Sequence, residues 1–232
     1  MLKAVLRELF SQNRARRDEE GVAAEAAPGQ RSVLNVGGNS KAIAIPAYFD
    51  GWQHVLLDID PTGNPDIVCD ARKLSTLAPA QFDAVYCSHN LEHYYKHDAM
   101  AVVRGFLHVL KADGFVEIRV PDMESVMKTV TERDLDIEDI LYTSPAGPMT
   151  VRDVIYGWSV EIERSGMDFF AHKTGFTATS LRSVLLQAGF VNVLPFVAKE
   201  SFELRALAFK GEPTPSQKAL LELGDFEPGQ RA

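Results

Sequence analysis

The chain has 232 residues, 46% of them hydrophobic, which is enough for one sizeable core in a single α/β domain. A formal charge of -8 and a pI near 5.3 set it against polyanions, so nucleic acid is not expected as a partner. Cys69 and Cys87 lie inside apolar runs rather than at metal or disulfide spacing, and no apolar run approaches the roughly 20 residues of a membrane span, so a cytoplasmic location is expected.

Residues 1–30 read as an amphipathic helix and linker. Leu2, Val5, Leu6, Leu9 and Phe10 recur at helical spacing, and Lys3, Arg7 and Glu8 interrupt the run where a signal peptide would be apolar. Such a helix packs on its own domain or on a sister subunit, so a homodimer is among the expected assemblies. A buried strand, Ser32 to Val36, then runs into Gly37-Gly38, and a second strand, His54 to Leu57, ends at Asp58 and Asp60. Glycine belongs where a strand must turn sharply and bring backbone N–H groups to a ligand, and an acidic side chain closing the next strand can take both hydroxyls of a ribose. Together they form half of a nucleotide site.

A short apolar strand, Ile67 to Cys69, ends at Asp70. A fourth, Phe82 to Cys87, breaks into Ser88-His89-Asn90-Leu91-Glu92-His93. Asp98 is placed to cap the helix AMAVVRGFLHVLKADG, with Gly114 as its stop, and Phe115 to Val120 is a fifth strand ended by Pro121-Asp122. Residues 123–176 interrupt the alternation with a charged, partly helical insertion, expected to act as a lid or substrate wall. TATSLRSVLLQAGF restores a helix stopped by Gly189, and VNVLPFVAK with FELRALAFK makes a closing antiparallel hairpin. Residues 211–232 form a Pro- and Glu-containing tail, expected to be exposed, with one short helix at QKALLEL.

The expected fold is α/β: a Rossmann-like, seven-stranded, mostly parallel sheet with an antiparallel closing strand, helices on both faces and an inserted helical lid. The main domain spans residues 31–210. Ligands of such sheets bind outside the carboxyl ends of the strands, where Gly37, Asp58, Asp70, Ser88 and Asp122 gather.

The strings VLNVGG, LLDIDP, IVCDARKL and FDAVYCSHNLEHYYKHDAMAVVRGFLHVLKADGFVEIRVPD, with HKTGFTATSLRSVLLQAGF, resemble the class I S-adenosylmethionine-dependent methyltransferases of type 11. The resemblance covers about residues 31–210, and the long middle block is its most specific part. It implies that S-adenosylmethionine is the cofactor. Gly37, Gly38 and Asn39 would face the methionine moiety, Asp58 with Ile59 the ribose, Asp70 with Ala71 the adenine, and Ser88 with His89 the wall beside the methyl group. Asn35 stands where the family usually has an acid that orients the amino group, and Asn39 where a second glycine is usual.

Methyl transfer from a sulfonium is chiefly a matter of orientation, and a hydroxyl acceptor gains from a general base, for which histidine is suited near neutral pH. His89 and His172 are the catalytic candidates. His93, Asp122, Phe170 and Lys173 are candidates for the substrate wall, where Phe169 and Phe176 add aromatic surface. His89, Glu92 and His93 also match the zinc-protease pattern H-x-x-E-H, but that chemistry needs a continuous helix and an apolar strand runs directly into this motif; no metal ligand set is assigned. The reading is methyl transfer to an oxygen or nitrogen of a small-molecule or sugar-like acceptor. The departures at Asn35 and Asn39 keep open a non-catalytic nucleotide-binding module on the same fold.

Overall fold

A computed structural model describes residues 29–144, 147–197 and 202–224. The expected N-terminal helix lies outside the described residues.

Seven strands form the main sheet: β1 (Ser32–Val36), β2 (Gln53–Asp58), β3 (Ile67–Val68), β4 (Phe82–Ser88), β5 (Leu110–Pro121), β8 (Asn192–Val197) and β9 (Glu203–Phe209). A separate hairpin joins β6 (Ile140–Ser144) to β7 (Gly147–Thr150). The order in the main sheet is β3-β2-β1-β4-β5-β9-β8. β1 to β5 pair in parallel, and β9 runs antiparallel to both β5 and β8. The chain steps outward from β1 through β2 and β3, then returns to place β4 on the other side. The order therefore reverses between β1 and β4, which puts the ligand crevice of an open parallel sheet outside their carboxyl ends.

β1 is buried throughout, as expected of a central strand covered on both faces. One face carries α1 (Lys96–Val109) and α5 (Ala178–Ala188), which bury Val102, Val103, Phe106, Leu181 and Leu185 against Leu34, Val85, Val116 and Ile118. Thr177 and Ser180 close a capping box at the start of α5, and Gly189 in the left-handed region ends it, as the sequence predicts. Asp98 sits in the first turn of α1, whose cap is Tyr95, so it does not cap the helix. Between β1 and β4 the crossovers contain only 3-10 turns, Ala47–Phe49, Pro61–Gly63 and Ala71–Thr76.

The other face is covered by Tyr48 and Phe49 from the first of these turns, by Trp52 just after it and by the C-terminal segment. That segment is not the exposed tail expected from its composition. Thr214 and Gln217 form a capping box for α6 (Pro215–Leu220), the Gln217 amide donates to the Asp113 carbonyl at 2.6 Å, and Leu221 and Leu223 bury themselves beside Phe49, Phe115 and Phe209. Leu221→Ala should therefore cost about 2 kcal/mol or more in urea unfolding, whereas an exposed leucine would cost almost nothing.

The insertion is a helix–hairpin–helix wall rather than a purely helical lid. α2 (Met123–Arg133) leads to the β6–β7 hairpin, then to α3 (Val151–Tyr156), α4 (Ser159–Ser165) and a 3-10 turn at Asp168–Phe170. Val126, Leu141, Val151 and Val154 give it a small core of its own. A bridge between Asp122 and Phe176 sews its return to the end of β5.

Candidate functional site

The glycine turn after β1 is built by close approach. Gly37 has φ +73°, its N–H donates to the Leu57 carbonyl at 2.8 Å, and a Cβ there would fall 2.1 Å from the Asn90 side chain. At Gly38 a Cβ would fall 2.3 Å from the Asn35 amide. Asn39 holds φ +57°, a conformation asparagine tolerates better than most residues, so the turn survives without its second glycine. Asn35 is buried beneath this turn, its amide nitrogen 3.1 Å from His54 Nε2. Burial lowers the His54 pKa, which leaves the ring neutral against the amide.

Asp58 ties the turn to the end of β2. Its two oxygens accept from Asn39 N and Asp60 N, each at 2.9 Å, and the residue is buried. Ile59 beside it is exposed into a cleft of about 330 Å³, a volume within the range of small-molecule sites. Asp70, His93 and Lys173 of the predicted residues line the same cleft. Ala71 instead is buried in the core, and Ser88 ends β4 paired with Arg119.

The cleft also takes in Phe169, expected in the substrate wall, and Arg72, Asn90, Tyr94, Tyr95 and Asp98, which the sequence does not single out. Arg72 grips Asp70 in a fork, with Nη2 to Oδ2 at 2.6 Å, and reaches Asp98 at 3.5 Å. The hydrogen bonds and charge of Arg72 outweigh burial and hold Asp70 below the usual carboxylate range. Lys173 lies 3.3 Å from Asp168 and 5.8 Å from the Tyr95 ring. Both cations that line the cleft are thus matched by carboxylates.

Two of the residues expected in the substrate wall lie outside the lining of that cleft. Asp122 is 1% exposed and caps α2 by accepting from Glu124 N and the Ser125 hydroxyl; it lines a separate groove with Arg182 and Pro195. Phe170 lies beside the cleft rather than in its lining, where Phe169 stands.

His89, a catalytic candidate, sits between two carboxylates. It occupies the turn after β4 at φ +48°, with Nε2 3.1 Å from Glu203 and Nδ1 3.5 Å from Glu92. Burial opposes protonation, but the hydrogen bond to Glu203 and the charge of both carboxylates overcome it and lift the pKa to about 10. Its contact with Glu203 ties the end of β4 to β9. His172 has the opposite character, because burial lowers its pKa. Its Nδ1 donates to the Val154 carbonyl at 2.9 Å, and its Nε2 faces Glu92 at 4.0 Å. Glu92 is 1% exposed, and although burial favours its neutral form, the neighbouring histidines, His89 first among them, lower its pKa.

This combination of a reversing parallel sheet, a glycine turn after β1 and carboxylates after β2 and β3 defines an α/β protein that binds a nucleoside-type ligand at its strand ends. Residues 34–118 match a family model described as a methyltransferase domain, and the chain is an enzyme whose cofactor is S-adenosylmethionine.

A solved protein from Pyrococcus horikoshii OT3 shares the fold, at 13% identity over 78% of this chain and 84% of its own, with a TM-score of 0.51. An S-adenosylmethionine-dependent methyltransferase from Archaeoglobus fulgidus aligns at 16% identity over 88% of this chain and 94% of its own, with a TM-score of 0.49. The Burkholderia thailandensis 1,6-didemethyltoxoflavin-N1-methyltransferase, solved with its substrate and S-adenosylhomocysteine, aligns at 18% identity over 91% of this chain and 89% of its own, with a TM-score of 0.46. No curated protein matches the sequence. The alternative of a non-catalytic module is set aside, and the left-handed Asn39 is the physical reason that its departure from the family pattern does not break the turn.

Proposed function

We propose that the protein transfers a methyl group from S-adenosylmethionine to an oxygen or nitrogen of a small, uncharged, hydroxylated acceptor such as a sugar. The observation that carries this reading is the charge balance of the cleft, in which Arg72 and Lys173 are both committed to neighbouring carboxylates. A polyphosphate or nucleic acid needs free cations, and the chain's net charge of -8 opposes it further. In this reading Asp58 takes the ribose hydroxyls, Ile59 and Asp70 flank the adenosine, and the residues from Asp168 to Lys173 wall the acceptor. Cys69 and Cys87 are both free thiols, which supports a reducing, cytoplasmic setting. Among the described residues, no helix is long and apolar enough to cross a membrane.

The test is methyl transfer from labelled S-adenosylmethionine to a panel of sugars, phenols, amines and oligonucleotides, beside calorimetric titration with S-adenosylhomocysteine. Micromolar binding and turnover on a neutral small molecule are expected. Turnover confined to oligonucleotides would sink the acceptor assignment.

A further inference from the structure

Glu92, His93 and His172 bring one carboxylate and two imidazoles together, their ligand atoms all within 4.8 Å of one another. The carboxylate is almost completely buried, yet neither of its oxygens accepts a hydrogen bond among the described residues. A buried carboxyl group left without a partner is costly unless a cation or donor meets it, and the half-exposed His89 ring at 3.5 Å meets only one edge.

Both cluster histidines are oriented from behind. His93 Nδ1 donates to the Ala171 carbonyl at 3.1 Å and His172 Nδ1 to the Val154 carbonyl at 2.9 Å, which leaves each Nε2 lone pair free. A backbone carbonyl that fixes the ring and tautomer in this way is the usual support of a metal-bound histidine. The strap carrying His172 is pinned on both sides, by Lys173 N to Glu92 O at 2.8 Å and by His172 N to Tyr156 O at 2.9 Å.

We propose that Glu92, His93 and His172 bind a divalent transition-metal ion of the zinc or cobalt type, and that this ion holds the acceptor hydroxyl for methyl transfer. Two imidazoles and one carboxylate leave a coordination position for water or substrate, and imidazole selects first-row transition metals over magnesium or calcium. Bonds of about 2.0–2.2 Å place tetrahedral ligand atoms roughly 3.3–3.6 Å apart, a closure that small side-chain rotations supply. His93 also lines the cofactor cleft, so an ion held there faces the methyl donor. Bound to the ion, the acceptor O–H loses its proton to water in the cleft. The oxygen then attacks the methyl carbon, and the S–CH3 bond breaks with its electron pair passing to sulfur, which leaves neutral S-adenosylhomocysteine.

The inference rests on the methyl-transfer reading, and the experiment separates the two. The full chain, stripped with a chelator and dialysed, is titrated with Zn2+ by calorimetry and with Co2+ by visible absorption, and separately with S-adenosylhomocysteine. One ion per chain at micromolar or tighter Kd is expected, weakened by about 50-fold or more in His172→Ala and in the isosteric Glu92→Gln. S-adenosylhomocysteine affinity should stay within about threefold in Glu92→Gln, which shows that the variant is folded, and turnover on a hydroxyl acceptor should need the metal restored. Absence of stoichiometric Zn2+ or Co2+ uptake, or uptake unchanged in both variants, overturns the metal site and leaves the methyl-transfer reading intact. Metal uptake by a chain that does not bind S-adenosylhomocysteine overturns the role in methyl transfer.

Discussion

Replacing Glu117 with alanine is expected to lower the stability of the fold by about 3–5 kcal/mol and its Tm by about 6–20 °C. Glu117 lies in β5 with no exposed surface, on the sheet face covered by the 3-10 turn and the C-terminal segment. Its carboxylate gathers the Tyr48 hydroxyl, Arg119 Nε at 2.8 Å and Arg205 Nη2 at 2.9 Å. Burial first, and then the neighbouring carboxylate, push the Tyr48 pKa upward, so the phenol stays a donor at any physiological pH. Removing the acceptor leaves Arg119 only its longer contact with Glu203 at 3.5 Å and strands Arg205, which already has a buried Nε without a hydrogen-bond partner. Loss of one partner from such a network leaves uncompensated charge, which costs far more than replacing the whole set with apolar residues. Urea denaturation of Glu117→Ala beside Glu117→Gln measures it; the amide keeps the shape and should fall between the alanine variant and the parent. A cost below about 1 kcal/mol would mean that Arg205 relaxes into water and that the network contributes little.

Most strands of the main sheet were legible because they are apolar runs closed by Gly, Asp or Pro, as a central parallel strand must be apolar on both faces. β5, however, begins at Leu110, so the helix expected to run to Gly114 ends at Val109 instead. The β6–β7 hairpin was not legible. ILYTS and GPMT lie on the surface, Ile140 is 58% exposed, and Pro148 weakens a strand reading, so no alternation marks them. Leu221 and Leu223 were read as an exposed tail because nothing local says that a sheet face lies open beneath them. Asp98 offered itself as a helix cap by position, whereas the fold sets it against Arg72, a partner 26 residues away. His89 and His93 were both visible as candidates, but what separates their roles is distant in sequence. Glu203 reaches His89 across 114 residues, and the Ala171 carbonyl turns His93 from 78 residues away. The motif around Glu92 was judged as a helix pattern and dismissed on that ground. The structure keeps the turn at His89 and completes the cluster with His172, which no local spacing could supply.

Replacing Asp58 with alanine is expected to weaken binding of S-adenosylmethionine and S-adenosylhomocysteine by at least about 100-fold. Each oxygen of Asp58 accepts a backbone N–H, one from the glycine turn at Asn39 and one from Asp60, and each keeps a lone pair for a ribose hydroxyl. Two charge-assisted hydrogen bonds to a ribose, worth about 1.5–3 kcal/mol apiece, already account for a loss of that size. The alanine variant also frees the N–H of Asn39, whose left-handed backbone is held by the same carboxylate, so the turn loses its tether as well as the ligand its acceptor. Asp58→Asn divides the two effects. The amide keeps one acceptor oxygen and the side-chain shape but must present an N–H2 to one of the two backbone donors, so it should bind more weakly than the parent and more tightly than alanine. Calorimetric titration of the three proteins with S-adenosylhomocysteine, with thermal unfolding as the control for folding, gives the ranking. Equal affinity in all three would place the ribose elsewhere in the cleft and would leave Asp58 as a purely structural link between β1 and β2.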